Sequence, residues 1–248
     1  WFNLDYRRSV FSAGLRFDIF QPNDPDPSIN RGKDKYSDIS FKYFAVKLGD
    51  RRKGLKLTVG NYYEMFGRGL ILKSYEDRNI RIDNNLLGVN LSANYADFYL
   101  TALTGSAENI LSERKDILHA VDIEYRGLKK IKFGASLASN NPGIDNIAST
   151  NLVSFRIAPH IWNFEFFGEY GIKQNKDTKE QVFDNSGFKI GEAYYGNINF
   201  FLGSFSISGE YKYYDNFAFQ SHDKTITYNT PPSLRRDQTY ILLNRHPS

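Results

Sequence analysis

Apolar and polar residues alternate with a period of two along nearly the whole chain, and no apolar run reaches the roughly 18 residues that a membrane-crossing helix requires. That period sends successive side chains to opposite faces of a strand, so it predicts long β-strands with one apolar and one polar face. Within Ser9–Phe20, Phe11, Ala13, Leu15, Phe17 and Ile19 stand against Ser12, Gly14, Arg16 and Asp18. From Asp38 onward, Ile39, Phe41, Tyr43 and Ala45 stand against Ser40 and Lys42. Leu55, Leu57 and Val59 oppose Lys56, Thr58 and Gly60, and Leu87, Val89, Leu91, Ala93 and Tyr95 oppose Gly88, Asn90, Ser92 and Asn94. The second half repeats the pattern around Val121–Arg126, Ile131–Leu137, Val153–Ile157, Trp162–Tyr170 and Phe205–Tyr213, with weaker strands at Phe98–Thr104, Gly187–Phe200 and Leu234–Leu243. The total is about twelve strands of about 9–13 residues, longer than the usual 5–6 and suited to a tilted bilayer span of about 9–11.

The connections alternate in length. Short turns are expected at Gly49–Lys53, Tyr95–Asp97, Gly127–Lys130, Pro159–Ile161 and Phe201–Ser204. Between them lie long polar loops at Gln21–Lys35, Glu64–Asn84, Ser106–Lys115, Asn140–Ser149, Gln174–Ser186 and Gln220–Ser233. A meander of this kind has short turns on one rim and long loops on the other, as outer-membrane barrels do. By parity the chain enters on the short-turn, periplasmic side before Ser9 and returns there after Leu234–Leu243.

The composition of the two faces separates a barrel from a soluble sandwich. The mean hydropathy is −0.50 with 41 % apolar residues, an average that conceals two different surfaces. Aromatic residues make up 16 % of the chain and gather near strand ends at Phe11, Tyr95, Tyr125, Trp162, Tyr170, Tyr211 and Tyr213. Rings at both ends of an apolar band form interfacial girdles. The expected fold is all-β: an antiparallel, up-and-down transmembrane β-barrel spanning 1–248 as a single domain. A soluble β-domain that binds glycans through exposed aromatics is the competing class. Thirty-two basic and 28 acidic residues are too balanced for nucleic acid to be the expected partner. Without cysteine there is no disulfide framework, thiolate nucleophile or Cys–zinc site. The start at Trp1 suggests a processed chain or a fragment.

Two segments carry a family resemblance. Tyr62-Tyr-Glu-Met-Phe-Gly-Arg-Gly-Leu-Ile-Leu-Lys-Ser-Tyr-Glu-Asp-Arg78, followed by Ile82-Asp-Asn84, resembles a recurrent stretch of an uncharacterised Gram-negative outer-membrane barrel family of Bacteroidota-type bacteria. Pro231-Pro-Ser-Leu-Arg-Arg236 with Leu243-Asn-Arg-His246 resembles another. The resemblance implies a porin-like barrel in the bacterial outer membrane and assigns no activity. It also implies longer members, so the chain is expected to represent part of a barrel.

Candidate functional residues fall into two sets. The loop Glu64–Asn84 carries Arg68, Lys73, Glu76, Asp77, Arg78, Arg81 and Asp83, with Gly67 and Gly69 flanking Arg68. It reads either as a charged constriction folded into the barrel mouth or as a self-satisfied rim of Arg–carboxylate pairs. The second set is the charges opposite the aromatics: Arg16, Asp18, Lys42, Asp122, Glu124, Arg126, Arg156, Glu165, Glu169, Glu210 and Lys212. A lipid-facing charge costs about 2–4 kcal/mol at the midplane, so these are assigned to the lumen. Of the four histidines, His119 is in phase with the lipid-facing residues, His160 is expected in a short turn, and only His222, beside Asp223, offers a weak catalytic or metal signal; His246 is the fourth, and no nucleophile-elbow or His-Glu-x-x-His motif is present. The expectation is therefore no enzyme, no cofactor and no metal site. The first functional reading is a passive channel for small polar solutes. The second is a non-conducting scaffold within an outer-membrane complex. Membrane lipid, lipopolysaccharide and complex subunits are the expected partners, and nucleic acid is not.

Overall fold

A computed structural model describes residues 2–19, 37–50, 52–77, 82–109, 113–143, 148–176, 190–230 and 232. The described residues contain strands and no helix. The strands are β1 (Phe2–Arg8), β2 (Phe11–Ile19), β3 (Ser37–Gly49), β4 (Lys53–Tyr62), β5 (Glu76–Asp77), β6 (Ile82–Asp83) and β7 (Leu86–Tyr95). They continue as β8 (Phe98–Ala107), β9 (Ile117–Leu128), β10 (Ile131–Asn141), β11 (Ser149–Ile161), β12 (Phe164–Lys176), β13 (Gly191–Leu202) and β14 (Phe205–Asp215). Twelve of them form one antiparallel sheet in chain order, β1-β2-β3-β4-β7-β8-β9-β10-β11-β12-β13-β14, and β5 pairs with β6 in a small ribbon.

Short turns join the strands on one rim, at Ser9–Val10, 50–52, Ala96–Asp97, Lys129–Lys130, Trp162–Asn163 and Gly203–Ser204. In four of them the first turn residue takes a positive φ: Ser9, Ala96, Trp162 and Gly203, at 53°, 53°, 54° and 56°. That geometry matches the right-handed twist of the flanking strands. Long connections occupy the other rim, so the alternation of connection lengths is present as expected.

The convex face is apolar. Leu55, Leu57, Val121, Ile123, Leu137, Phe155 and Ile157 are all exposed along the middles of their strands. Exposure on this scale cannot be tolerated in water, but it matches a lipid-facing band. Aromatic pairs mark its edges. Phe98–Tyr125 (4.8 Å) and Phe164–Phe200 (4.5 Å) lie toward the short-turn rim, where Trp162 is 81 % exposed. Tyr170–Tyr194 (4.6 Å) lies toward the loop rim.

The structure corrects the expected strand plan at four points. The seven residues of β1 precede the strand expected first, and Ser9–Val10 is its turn, so the chain enters from the loop rim. A bulge between β2 and β3 pairs Gly14 with Tyr43 but Leu15 with Phe41, leaving Lys42 as the extra residue. The extra residue reverses the parity of β3 beyond Lys42: Phe44 points outward and Ala45 is buried. The turn expected at Pro159–Ile161 falls at Trp162–Asn163, so His160 is a strand residue of β11. Finally, the Gln220–Ser233 loop is not uniformly polar, because Ile226 and Tyr228 are buried. Leu234–Leu243, which was expected to be a strand, lies outside the described residues.

Candidate functional site on the concave face

The segment after β4 turns inward. Met65 bridges Lys73, Phe66 N–H donates to Leu72 O at 3.0 Å, and Glu64 O accepts from Ser74 N–H at 2.9 Å, closing a hairpin. Its tip is Gly67-Arg68-Gly69, and both glycines have positive φ, 55° and 91°. Residues with a Cβ rarely adopt that backbone, so the Gly-Arg-Gly triplet is what allows so tight a tip.

A second inward segment, Phe217–Thr230, pairs with the hairpin. Lys73 N–H donates to Tyr228 O at 2.7 Å, and Thr230 N–H to Gly69 O at 3.1 Å. Asn229 Nδ2 donates to Leu70 O and Phe217 O, at 2.9 and 3.0 Å. The two segments enclose an apolar core. Phe66, Leu70, Ile71, Leu72, Phe219 and Tyr228 are at most 1 % exposed and pack on Leu86, Leu118, Ala120, Ala138 and Leu152 of the sheet. The loop-rim half of the concave face is therefore apolar and filled, not charged throughout.

Below the tip the concave wall is polar. Arg156 on β11 lies across β10 and reaches β9. Its Nη1 and Nη2 donate to Asp122 Oδ1 and Oδ2 at 2.6 and 2.8 Å, and Nη2 also donates to Glu124 Oε2 at 3.2 Å. Gly134, the β10 residue registered against both Arg156 and Glu124, makes room for it: a Cβ there would overlap the guanidinium. Glu124 also pairs with Arg126, whose guanidinium sits 4.1 Å from the Tyr99 ring. Glu169 on β12 is 4 % exposed, and its Oε1 accepts from Ser154 Oγ at 2.8 Å. Its Oε2 faces the tip, 3.0 Å from where a Cβ on Gly67 would lie. Arg68 crosses to the same wall, 4.5 Å above the Phe167 ring, with Nη1 3.5 Å from the Tyr195 hydroxyl. The hairpin thus spans from β4 to β11–β13, and the sheet wraps around it. A cavity of about 520 Å³ remains beneath the tip, bordered by Arg68, Glu124, Lys132, Arg156, His160 and Glu165.

The other expected lumen residues are dispersed around the wall. Arg16 lies 3.8 Å from Asp83 of the small ribbon. Lys42 borders a second cavity on the β3–β4 side. Lys73 lays its stem against Gly69 of the tip and carries its ammonium 5.4 Å over the Tyr75 ring. Glu165 faces His160 at 3.5 Å near the short-turn rim, and Glu210 pairs with Lys212 at 3.0 Å on β14. Arg78 and the side chain of Asp18 lie outside the described residues. His222 faces Asp116 at 3.8 Å, whereas Asp223 is bonded to Ser221, Thr225 and Asn109. Among the described residues no group of three His, Asp or Glu side chains could hold a metal ion.

Sequence reasoning missed the apolar seam. Its signal is Leu70-Ile71-Leu72, three consecutive aliphatic residues inside a loop otherwise full of charges.

The arrangement can be set beside known proteins. The Pseudomonas aeruginosa protein OccK8 (OprE) has a similar structure, with a TM-score of 0.54 and 10 % identity over 92 % of this chain and 65 % of that one. OccK9 (OpdG) of the same organism gives 0.49 and 15 %, over 91 % and 65 %. The chain therefore spans 65 % of the length of either relative. The likeness to OccK8 is one of fold: the twelve-stranded antiparallel, up-and-down sheet is of the porin-like β-barrel type. No curated protein matches the sequence. A family model described as a family of unknown function (DUF6029) matches residues 1–248.

Proposed function

The chain belongs to the DUF6029 family, which assigns no activity, and we propose from its own geometry that it is a constricted channel of the bacterial outer membrane, passing small polar solutes passively. The observation that carries this reading is the hairpin tip set against Arg156 and Glu169, which leaves a cavity of about 520 Å³ beneath it, bordered by charged side chains. A rigid, charged narrowing with water-sized space below it discriminates solutes by size and charge. Arg68 and Arg156 supply positive charge there, and Asp122 and Glu124 supply negative charge. The chemistry offered is electrostatic sorting, without bond making. The surrounding partners in this reading are phospholipid and lipopolysaccharide, meeting the apolar band and its aromatic edges. Liposome swelling with uncharged sugars of increasing size is the test. Uptake limited to the smallest sugars supports the channel, and impermeability to all of them opposes it.

The second reading is a closed barrel acting as a scaffold or subunit in an envelope complex. The apolar seam favours it, since Leu70, Ile71, Leu72 and Phe219 have no measurable exposure. Co-purifying subunits in mild detergent, together with impermeable liposomes, select that reading.

A further inference from the structure

Lys47 on β3 and Lys56 on β4 stand directly opposite each other in the sheet register. Like charges placed this way repel and weaken the pairing of their strands. Among the described residues, neither these two lysines nor Lys42 has a carboxylate within ion-pair distance. All three border a cavity of about 600 Å³ on the concave face, together with Arg7 of β1. Its single acidic lining residue, Glu64, is already engaged, accepting from Asn90 Nδ2 at 2.7 Å and from Met65 N–H at 3.2 Å. Nearby Asp5 is likewise engaged, accepting from the Tyr43 hydroxyl at 2.8 Å. Four cations from β1, β3 and β4 thus surround a space with one committed carboxylate.

We propose that this cavity binds a small, multiply charged oxyanion of the phosphate class. The inference rests on reading the concave face as a solute channel, and it names the class of solute that this side of the lumen takes. Lysine ammonium groups act as mobile point charges suited to a tetrahedral oxyanion. A monocarboxylate neutralises one of the four cations, whereas a dianion with four oxygens bridges Lys47 and Lys56 and reaches Lys42. Binding converts their repulsion into shared attraction. The site is separate from the Arg156 cluster, where each charge is already paired.

The test is a titration of the folded full chain, in neutral detergent, with inorganic phosphate read by calorimetry. Saturable binding is expected, displaced by sulfate and at least about tenfold weaker for acetate. A Lys47→Gln/Lys56→Gln double variant should weaken phosphate binding about tenfold or more, Lys42→Gln by less, and Lys115→Gln in an outer loop not at all. Relief of the repulsion leaves the thermal midpoint of the double variant equal or higher, which separates lost binding from lost folding. Absence of saturable binding, or binding untouched by the double variant, overturns the proposal. Because binding is read without conduction, an impermeable barrel that still binds phosphate contradicts the channel alone, and a permeable barrel that does not bind contradicts this site alone.

Discussion

Arg156 grips Asp122 from two strands away, with Nη1 and Nη2 each on its own carboxylate oxygen. The contact is possible because Gly134 leaves the intervening strand bare at that register. Arg156 is buried and Asp122 nearly so, so both charges depend on one another. Removing one partner of a buried pair costs about 3–5 kcal/mol. Arg156→Met should destabilise the barrel by about that amount, measured by urea unfolding of the heat-modifiable band. Arg156→Met combined with Asp122→Asn should recover part of the loss, and strictly additive losses would show that the pair is not coupled.

Gly134→Ala isolates the geometric requirement without touching a charge. The added methyl enters the guanidinium position, so Arg156 must leave Asp122 or the strand must shift. A loss of about 1–3 kcal/mol is expected, in line with overpacking. Gly209→Ala on β14, where a Cβ meets only a side-chain methyl at 3.4 Å, should cost far less in the same unfolding measurement.

The inward hairpin is held by packing, so truncating its apolar residues should loosen it. Leu70→Ala and Ile71→Ala each remove a fully buried side chain. Costs of about 2–5 kcal/mol follow for such cavities. Limited proteolysis should then cut between Glu64 and Ser74 in the variants while sparing the sheet. Unchanged protection of that segment would contradict the packing described.

The convex face is assigned to lipid. Leu137 sits outward at the middle of β10 and is 49 % exposed. Leu137→Arg should cost about 2–4 kcal/mol of membrane stability, because arginine at the bilayer midplane loses hydration. Refolding yield into vesicles is the measurement, and a wild-type yield would contradict the assignment.

The loop ties respond to acid. Burial raises the Asp223 carboxyl, but hydrogen bonds from Ser221, from the Thr225 N–H and hydroxyl, and from Asn109 outweigh it and hold the group well below the usual carboxylate range. A carboxyl depressed in the folded state contributes stability that is full above its unfolded value, about 3.9, and is lost as the pH falls through the folded one. Hydrogen exchange in 221–226 should therefore stay slow down to about pH 4 and quicken only below it. Asp223→Asn should remove that acid dependence.

The strands were legible in the sequence because their two faces obey one simple period, and the rims because turn lengths alternate. The inward folds were not legible. Lys42, the extra residue of the β2–β3 bulge, reverses the facing of Ala45, and no periodicity announces a bulge. Leu70-Ile71-Leu72 sits among charges that made the loop look wholly polar. Arg156, Asp122 and Glu124 could be placed on one face, yet their convergence depends on Gly134 and on register, which only pairing reveals. Lys47 opposite Lys56 was hidden for the same reason.

In the proposed channel the hairpin narrows a conducting lumen. Single-channel currents in planar bilayers test it most directly, comparing the full chain with a variant in which residues 65–73 are replaced by a short Gly-Ser linker. Small discrete steps are expected for the full chain and clearly larger ones for the variant, since the obstruction between β4 and β11–β13 is gone. Silence from both, with each correctly folded in the bilayer, would contradict it.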